Sequence, residues 1–363
     1  ILILLTAAHV HSQILRNGNL GNNSGFNPSN NDSLNNRFID VQLSGKTHYT
    51  DYKIISYEND TTYIDTTLTI KKDYKFNFLR KDDFELLPLH NQGQAFNRLG
   101  YDFTDAYLFP KMGARAKYFN YYDIKDINYY QVPTPTTELF YRTGLEQGQV
   151  LDALFTFNTS KRQNISIAYK GLRSLGKYRN ALSSHGNMRI TYSYITKNSR
   201  YHLKSHIAAQ DLINNENGGL TAQSIIDFEN EDPNFKDRGR LETNFSNASN
   251  VLRGNRYFLQ HDFNIWQHKD TTNNTIKSYL KLGHIFNYDL KHYEYRQSSI
   301  ESDILGDAFG SSIDDKLTYK TLKNEAYLVL KSPIVLGEVK FKTSHLHYNY
   351  GYNSATYINT QYI

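Results

Sequence analysis

The sequence predicts an all-β fold, an antiparallel transmembrane β-barrel, from three observations on its 363 residues. Segments of alternating apolar and polar residues recur along most of the chain, and the connections between them alternate between short and long. Tyr and Phe are abundant, with 30 and 20 residues. Alternation with a period of two is typical of strands that have one apolar and one polar face. A membrane barrel has tight turns at one end and long loops at the other.

The first 36 residues are predicted to lie outside the barrel. Residues 1–13 have the features of a secretory signal-peptide remnant, a short apolar run followed by small and polar residues. Residues 14–36 are rich in Asn, Gly and Ser, and they are predicted to form a flexible lead because they cannot bury enough apolar surface to order. No later segment approaches the roughly 18 apolar residues that a membrane helix requires.

Residues 37–135 are predicted to form an N-terminal region that is periplasmic or plug-like. Short alternating strands, including a small hairpin, are expected between residues 38 and 80. Residues 81–135 are less regular and carry paired aromatic residues. A plug, a periplasmic platform and the first strands of the barrel all remain open for this region.

Residues 136–363 are predicted to form the barrel strands, joined by alternating short turns and long loops. Ile167 and Tyr169, for example, alternate with Ser166 and Lys170. The predicted strands run about 8–14 residues, close to the 9–11 that a tilted strand needs to cross lipid. Long loops are expected within 170–187, 211–253 and 291–320. The chain ends without an evident closing strand, so we expect it to be an incomplete barrel, truncated at both ends.

A soluble β-sandwich shows the same alternation of residues, but it gives no reason for the sorting of loop lengths. The barrel is therefore the favoured architecture. Aromatic residues near strand ends are expected to lie at the level of lipid headgroups. They include Tyr257, Phe258, Tyr348 and Tyr350.

Composition and motifs argue against several classes of function. The chain has no Cys, which excludes a thiolate nucleophile or a zinc–cysteine site. The formal net charge is +5, but basic and acidic residues are intermixed, so nucleic acid is not an expected partner. No G-x-S-x-G, P-loop or G-x-G-x-x-G motif occurs, and no catalytic or cofactor-binding residue is predicted.

Histidines and one acidic loop were weighed as metal ligands. His202 and His206 lie four residues apart on one strand, roughly 13 Å, which is too far for one ion. His345 and His347 are closer in sequence but lack an evident third ligand. The acidic loop 227–232 lacks the ligand spacing and glycine of an EF-hand. No metal site is predicted.

The polar faces of the predicted strands suggest a charged lumen. If the apolar faces meet lipid, the opposite faces carry more cations than anions. Charged residues inside a pore determine its selectivity, so we expect a weak anion preference. The candidate lumen-lining residues are Lys170, Arg189, Lys204, Asp262, Lys277, Lys281, Lys340 and Lys342.

From about Thr66 onward the chain resembles the putative porin family of Bacteroidota outer membranes. The resemblance is carried by DTTLTIKKDYKFNFLRKDDFELLPLHNQGQAFNRLGYDF, PTPTTELFYRTGLEQGQVLDALFTFNTSKRQNISIAYKGLRSLGKY and NNENGGL. The second segment is the most specific, because its strand–turn–strand–loop order matches as well as its residues. The resemblance implies an outer-membrane barrel with a periplasmic N-terminal region.

The expected function is a channel in the outer membrane of a Gram-negative cell, reached through a secretory signal. It would allow diffusion or facilitated passage of small polar solutes, with outer-membrane lipid around it and no cofactor. A homo-oligomer or accessory outer-membrane partners are also envisaged. One alternative is a plugged or structural barrel that serves an assembly or export complex. The other is a soluble secreted all-β adhesin.

Overall fold

The computed structural model describes residues 47–65, 74–81, 84–101, 112–113, 115–144, 147–269, 276–306, 310–332, 337–353 and 355–363. The predicted signal remnant (1–13) and the Asn-rich lead (14–36) lie outside these residues. Within them, antiparallel strands dominate the secondary structure.

The N-terminal part, residues 47–135, contains two small sheets. Strands β1 (Lys53–Ile55) and β2 (Thr61–Tyr63) form the hairpin predicted between residues 38 and 80, and β5 (Tyr129–Gln131) pairs with the other side of β1. Strand β3 (Leu86–Pro88) pairs with β4 (Phe96–Arg98). Single turns of 3-10 helix lie at Tyr49–Asp51, Arg115–Lys117 and Ile124–Asp126.

Ten longer strands follow and form one antiparallel sheet in chain order, each pairing with the next. Within the described residues β6 and β15 do not pair with each other, so the sheet is open. The antiparallel all-β prediction is confirmed, while closure into a barrel is not observed. The strands are β6 (Thr136–Gly144), β7 (Gly148–Ser160), β8 (Gln163–Ser174), β9 (Ser183–Ile195), β10 (Tyr201–Glu216), β11 (Ala248–Lys269), β12 (Ile276–Gln297), β13 (Ile313–Lys331), β14 (Glu338–Tyr352) and β15 (Ala355–Tyr362).

The connections hold the only longer helices of the described part. Helix α1 (Ala222–Glu229) lies between β10 and β11, and its N-terminus is capped by the Thr221 side chain, which accepts a hydrogen bond from the Ser224 amide. Two 3-10 turns follow it, at Pro233–Phe235 and Arg238–Arg240, and α2 (Ser302–Leu305) precedes β13. Among the described residues, no helix has the length and apolar character to cross a membrane.

Several strands are longer than predicted. Strands β11 and β12 have 22 residues each, and they take in the predicted loop segments at 248–253 and 291–297. The backbone ladder continues there while the side chains on both faces become largely polar, with Arg253 and Asn255 exposed. Hydrophobic alternation, the signal used to find strands, is therefore lost before the strand ends.

The predicted strict alternation of short and long connections is wrong at the edges of the sheet. We call the end that carries the connections β8–β9, β10–β11 and β12–β13 the long-loop end, and the other the turn end. At the long-loop end, β6 ends at Gly144 and β7 begins at Gly148. Strand β14 ends at Tyr352 and β15 begins at Ala355. These two connections are short, and the long ones are confined to the middle of the sheet.

The sheet has one apolar and one polar face. The apolar face leaves large side chains exposed, among them Leu139 (69%), Ile167 (44%), Tyr257 (48%) and Phe341 (64%). In a soluble sandwich such side chains would be sealed against a second sheet. Here the small sheets of residues 47–135 pack instead against the polar face, around Phe258, Ile285 and Tyr327.

On β11 the apolar band runs from Tyr257 to Trp266, near the 9–11 residues of a tilted strand that crosses lipid. Tyr257 lies 6.3 Å from the Tyr288 ring at the long-loop edge of this band. His261 and His284 interrupt the band, with ring centroids 5.4 Å apart.

The predicted ring of aromatic residues is only partly right. Phe258 and Tyr348 are buried on the polar face, not exposed at the strand ends. Successive residues of a strand point to opposite faces, so Tyr257 and Phe258 cannot both meet lipid.

We expect Gly254→Ala to destabilise the contact between the sheet and residues 47–135. A Cβ at this position on the polar face would lie 2.6 Å from Cε2 of Tyr121, a buried ring that cannot move into solvent. Overpacking of this kind costs about 1–3 kcal/mol. The measurement is urea unfolding of the detergent-solubilised protein.

Gly186→Ala is the matched control, because the nearest atom to its added Cβ is Tyr169 Oη at 3.5 Å, an ordinary contact. Its unfolding midpoint should stay at or above that of the unmodified protein. Equal midpoints for the two variants would contradict the packing described here.

Candidate functional site

The candidate site is the polar face of the sheet together with the described residues between 47 and 135, which we call the N-terminal segment. The segment contacts polar-face side chains from β6 to β13. Under it, long polar side chains are almost fully buried. They include Lys170, Asn187, Gln210, Asn214, Asn250 and Arg256.

Lys170 is 1% exposed, and in the part of the chain that the structure describes its ammonium group hydrogen-bonds to two partners, both in the N-terminal segment. Nζ donates to the Leu79 carbonyl at 3.0 Å and to Asn120 Oδ1 at 2.5 Å. The Tyr122 ring lies 5.4 Å from the same nitrogen. Lys170, which the sequence predicts to line a lumen, is therefore covered by the N-terminal segment and hydrogen-bonded to it.

Arg256 connects three parts of the site. Its guanidinium donates to the Tyr122 carbonyl at 2.9 Å, and it contacts the carboxylates of Asp289 at 3.3 Å and Asp123 at 3.4 Å. The side chain is 1% exposed. A buried guanidinium needs such charged and hydrogen-bonding partners, because isolated burial of a charge is costly.

A third contact lies nearer the turn end. Lys204 Nζ donates to the carbonyls of Ser56 at 3.3 Å and Tyr57 at 3.1 Å, and to Asn59 Oδ1 at 2.7 Å. Beside it, the Tyr129 hydroxyl lies 2.7 Å from Nδ1 of a histidine on β10, His206. Burial raises the pKa of Tyr129 well above its usual range, so the phenol stays protonated.

The segment is also held at the long-loop end. Asn91 Nδ2 donates to the Ala181 carbonyl at 2.7 Å, and Gln94 Nε2 to the Asn215 carbonyl at 3.1 Å. Lys117 pairs with Glu216, the last residue of β10. Burial lowers the pKa of Lys117 to about 8. Burial, together with the nearby Lys117 charge, also lowers the pKa of His90.

A cavity of about 370 Å³ lies between part of the N-terminal segment and strands β6–β9. The segment contributes Arg80, Lys81, Tyr122, Lys125, Asp126 and Tyr130 to its lining, and the sheet contributes Glu138, Asp152, Ser166, Arg189 and Thr191. Small-molecule sites have volumes of roughly 300–1,000 Å³. The cavity has the size of such a site and is lined mainly by polar and charged groups.

By strand alternation, seven of the eight candidate lumen residues lie on the polar face. The N-terminal segment covers three of them, Lys170, Arg189 and Lys204. Asp262 pairs with His202 at 3.2 Å and Lys281 at 3.6 Å. Lys281 and Lys340 lie on either side of Val329 in register, and Lys340 and Lys342 are exposed. Lys277 is the extra residue at a register shift, between Ile276, which pairs with Lys269, and Ser278, which pairs with His268, so alternation does not assign its face. Their role in a lumen stays a prediction.

The residues weighed as metal ligands are occupied in other ways. His202 pairs with Asp262, and His206 contacts Tyr129. His347 lies on the apolar face with Nε2 2.6 Å from Asn359 Oδ1. In the part of the chain that the structure describes, no group of three or more His, Cys, Asp or Glu residues could hold a metal ion.

Sequence reasoning missed Arg256, Tyr122, Asn120 and Arg80. A signal existed for Arg256, because it alternates with Tyr257, but its strand was predicted to begin at that tyrosine. The other three lie in irregular backbone of the N-terminal segment, where no periodicity predicts which way a side chain points.

We expect Arg256→Met to destabilise the protein by about 1–3 kcal/mol, because it leaves the buried Tyr122 carbonyl without its donor and leaves Asp289 with Lys291, 3.5 Å away, as a cationic partner. Arg253→Met is the matched control. It lies on the same strand but on the opposite, exposed face, 3.8 Å from an exposed carboxylate, Asp211. That change should cost within about 0.5 kcal/mol. Urea unfolding in detergent measures both, and similar losses would argue against Arg256 as an internal tie.

Comparison with known protein families identifies this architecture. The model of the family described as "Putative porin" matches residues 48–363. No curated protein and no solved structure gives a significant match. The matched range takes in the N-terminal segment from residue 48 as well as the ten-stranded sheet. The chain belongs to the putative porin family and is a porin-like channel protein of the outer membrane.

Proposed function

We propose that this protein conducts small polar solutes across the outer membrane and that its N-terminal segment is the plug of the channel. The observation that carries the proposal is the burial of the polar face under that segment while the apolar face stays exposed. An exposed apolar sheet face of this extent is suited to lipid. The buried polar face is suited to an interior that the plug fills.

The plug is attached in a way that allows it to move. Its ties to β8, β10 and β11 include many single hydrogen bonds from sheet side chains to plug backbone, such as those of Lys170 and Lys204. Hydrogen bonds from a charged donor contribute about 1.5–3 kcal/mol each, less than their strength in isolation, because water replaces them when they break. Among the described residues, two clusters of buried apolar side chains join the plug to the sheet, one around Tyr129 and one around Tyr121.

The channel is proposed to favour anions weakly. Lys281, Lys340 and Lys342 lie on the polar face of β12 and β14 toward the turn end, where the plug leaves Lys340 and Lys342 exposed, and Lys277 lies at the same end of β12. Asp262 offsets part of this charge through its contact with Lys281. Charges in a water-filled passage act on permeating ions at close range.

Two other functions compete with this proposal. A plugged barrel that is an accessory subunit of an assembly or export complex would use the same polar face only for attachment. A soluble adhesin would have to cover its exposed apolar face in another way. The family relationship favours a non-enzymatic channel over both.

Vesicle swelling with a lockable plug tests the proposal. Asn91 and Ser174 are in side-chain contact, with Ser174 Oγ donating to Asn91 Oδ1 at 2.7 Å. Because the chain has no Cys, Asn91→Cys with Ser174→Cys introduces a single possible disulfide. We expect vesicles with the reduced variant to swell in small sugars as the unmodified protein does, and the oxidised variant to lose most of that permeability.

Asn91→Cys alone is the control and should not respond to oxidation. Permeability that survives oxidation of the double variant would mean that the segment is not a plug. The absence of permeability in every form would favour the accessory barrel. Recovery of the protein in the soluble fraction of cells would favour the adhesin.

The anion preference is tested by reversal potentials in planar bilayers with unequal KCl. We expect the unmodified channel to favour chloride, and Lys340→Glu with Lys342→Glu to shift the reversal potential toward potassium. Lys316→Glu with Lys320→Glu is the control, because both lysines are exposed on the apolar-face side of β13 near the long-loop end. A cation-selective unmodified channel, or equal shifts in both double variants, would remove the proposal.

A further inference from the structure

The cavity between the plug and β6–β9 contains two guanidinium groups that converge on one carboxylate. Arg80 Nη1 of the plug lies 3.6 Å from Asp152 Oδ2, and Arg189 Nη2 of β9 lies 3.4 Å from Asp152 Oδ1. Charge-assisted hydrogen bonds are normally about 2.7–2.9 Å long. Both contacts are thus looser than the pairing that either arginine could make with a carboxylate of its own.

Arg80 has an unused donor at this point. Its Nη1 is buried and makes no hydrogen bond within the described residues, although Nη2 pairs with Glu138 at 2.5 Å. The guanidinium is held in place by the Phe140 ring, 4.2 Å away. A buried unsatisfied donor is destabilising, more so when it is charged, and an acceptor that enters the cavity would satisfy it.

Arg189 is positioned as firmly on the other side. Its guanidinium lies over the Tyr122 ring, with Cζ 3.9 Å from the ring centroid. The N–H groups at the edge of the guanidinium face Asp152 and the cavity. Planar guanidinium groups fixed by aromatic rings recognise carboxylates by paired hydrogen bonds. The cavity therefore presents two oriented forks, one from the plug and one from the sheet.

The remaining lining favours an anion that also carries hydroxyl groups. Four cationic side chains line the cavity against three carboxylates, and each carboxylate has a cationic partner: Asp126 pairs with Lys81 at 2.7 Å, Glu138 with Arg80, and Asp152 loosely with the two arginines. The hydroxyls of Ser166 and Thr191 lie 2.5 Å apart in the wall, where they offer neutral hydrogen-bonding partners. The Tyr130 ring also lines the cavity.

We propose that this cavity binds a small hydroxylated carboxylate, a solute of the sugar-acid class, through Arg80 and Arg189. The proposal rests on the proposed function, because it names the class of solute that the channel selects. Since one arginine belongs to the plug and the other to the sheet, the bound carboxylate bridges the two elements at the place where a solute would pass between them.

Calorimetric titration of the full chain in detergent with gluconate and with glucose tests the proposal. The two probes are similar in size, but only gluconate carries a carboxylate. We expect gluconate to bind at least about ten-fold more tightly than glucose. Arg80→Gln should weaken gluconate binding by at least about ten-fold, and Arg80→Lys should restore part of it, because the charge returns without the fork. Lys316→Gln, on the opposite face of the sheet, should bind as the unmodified protein does.

Thermal unfolding followed by circular dichroism checks that each variant is folded, and Arg80→Gln remains decisive if a substitution of Arg189 does not fold. Equal binding of gluconate and glucose, or Arg80→Gln binding gluconate as tightly as the unmodified protein, would overturn the proposal. Swelling of vesicles in glucose is measured on the same preparation. If vesicles swell in glucose but the protein does not bind gluconate, the solute site is rejected and the channel proposal stands. If gluconate binds but vesicles swell in no solute, the channel proposal is rejected and the binding site stands.

Discussion

The structure depends on hydrogen bonds from sheet side chains to the backbone of the N-terminal segment. That segment has only three-residue strands and single helical turns, so many of its carbonyl groups have no partner in a ladder of their own. Buried carbonyls must be satisfied. Lys170, Lys204 and Arg256 supply donors to them, each from a different strand. The long side chains of the polar face thus replace the regular secondary structure that the segment lacks.

This interaction explains how one polar face can be both buried and charged. In a soluble protein, so many ionisable groups under a covering segment would be costly unless each were paired. Here the cations meet carbonyl oxygens, carboxylates and aromatic rings of the segment, as Arg256 does with the Tyr122 carbonyl and the Asp123 carboxylate. Toward β14 the cover ends, and Lys340 and Lys342 are exposed. The same face therefore has an attached part and an open part, which is what a plugged channel requires.

Much of the sheet could be predicted from the sequence, and little of the site. Where one face is apolar, as from Ile165 to Tyr169, alternation predicted both the strand and its orientation. The outer halves of β11 and β12 escaped prediction, because backbone pairing continues after the apolar face has ended. The alternation predicted that Lys170 lies on the polar face, but it could not predict which residues the ammonium group contacts. Leu79 and Asn120 lie 91 and 50 residues away in sequence, in segments without periodicity.

A β-bulge near the turn end has a practical consequence for work on this protein. The register shift between Asn264 and Trp266 turns two consecutive residues, Ile265 and Trp266, toward the apolar face. Trp266 is the sole tryptophan of the chain. An indole at the rim of an apolar band favours the boundary between hydrocarbon and headgroups. The fluorescence of the unlabelled protein, and its quenching by brominated lipids, therefore reports how deeply this rim is immersed in a bilayer.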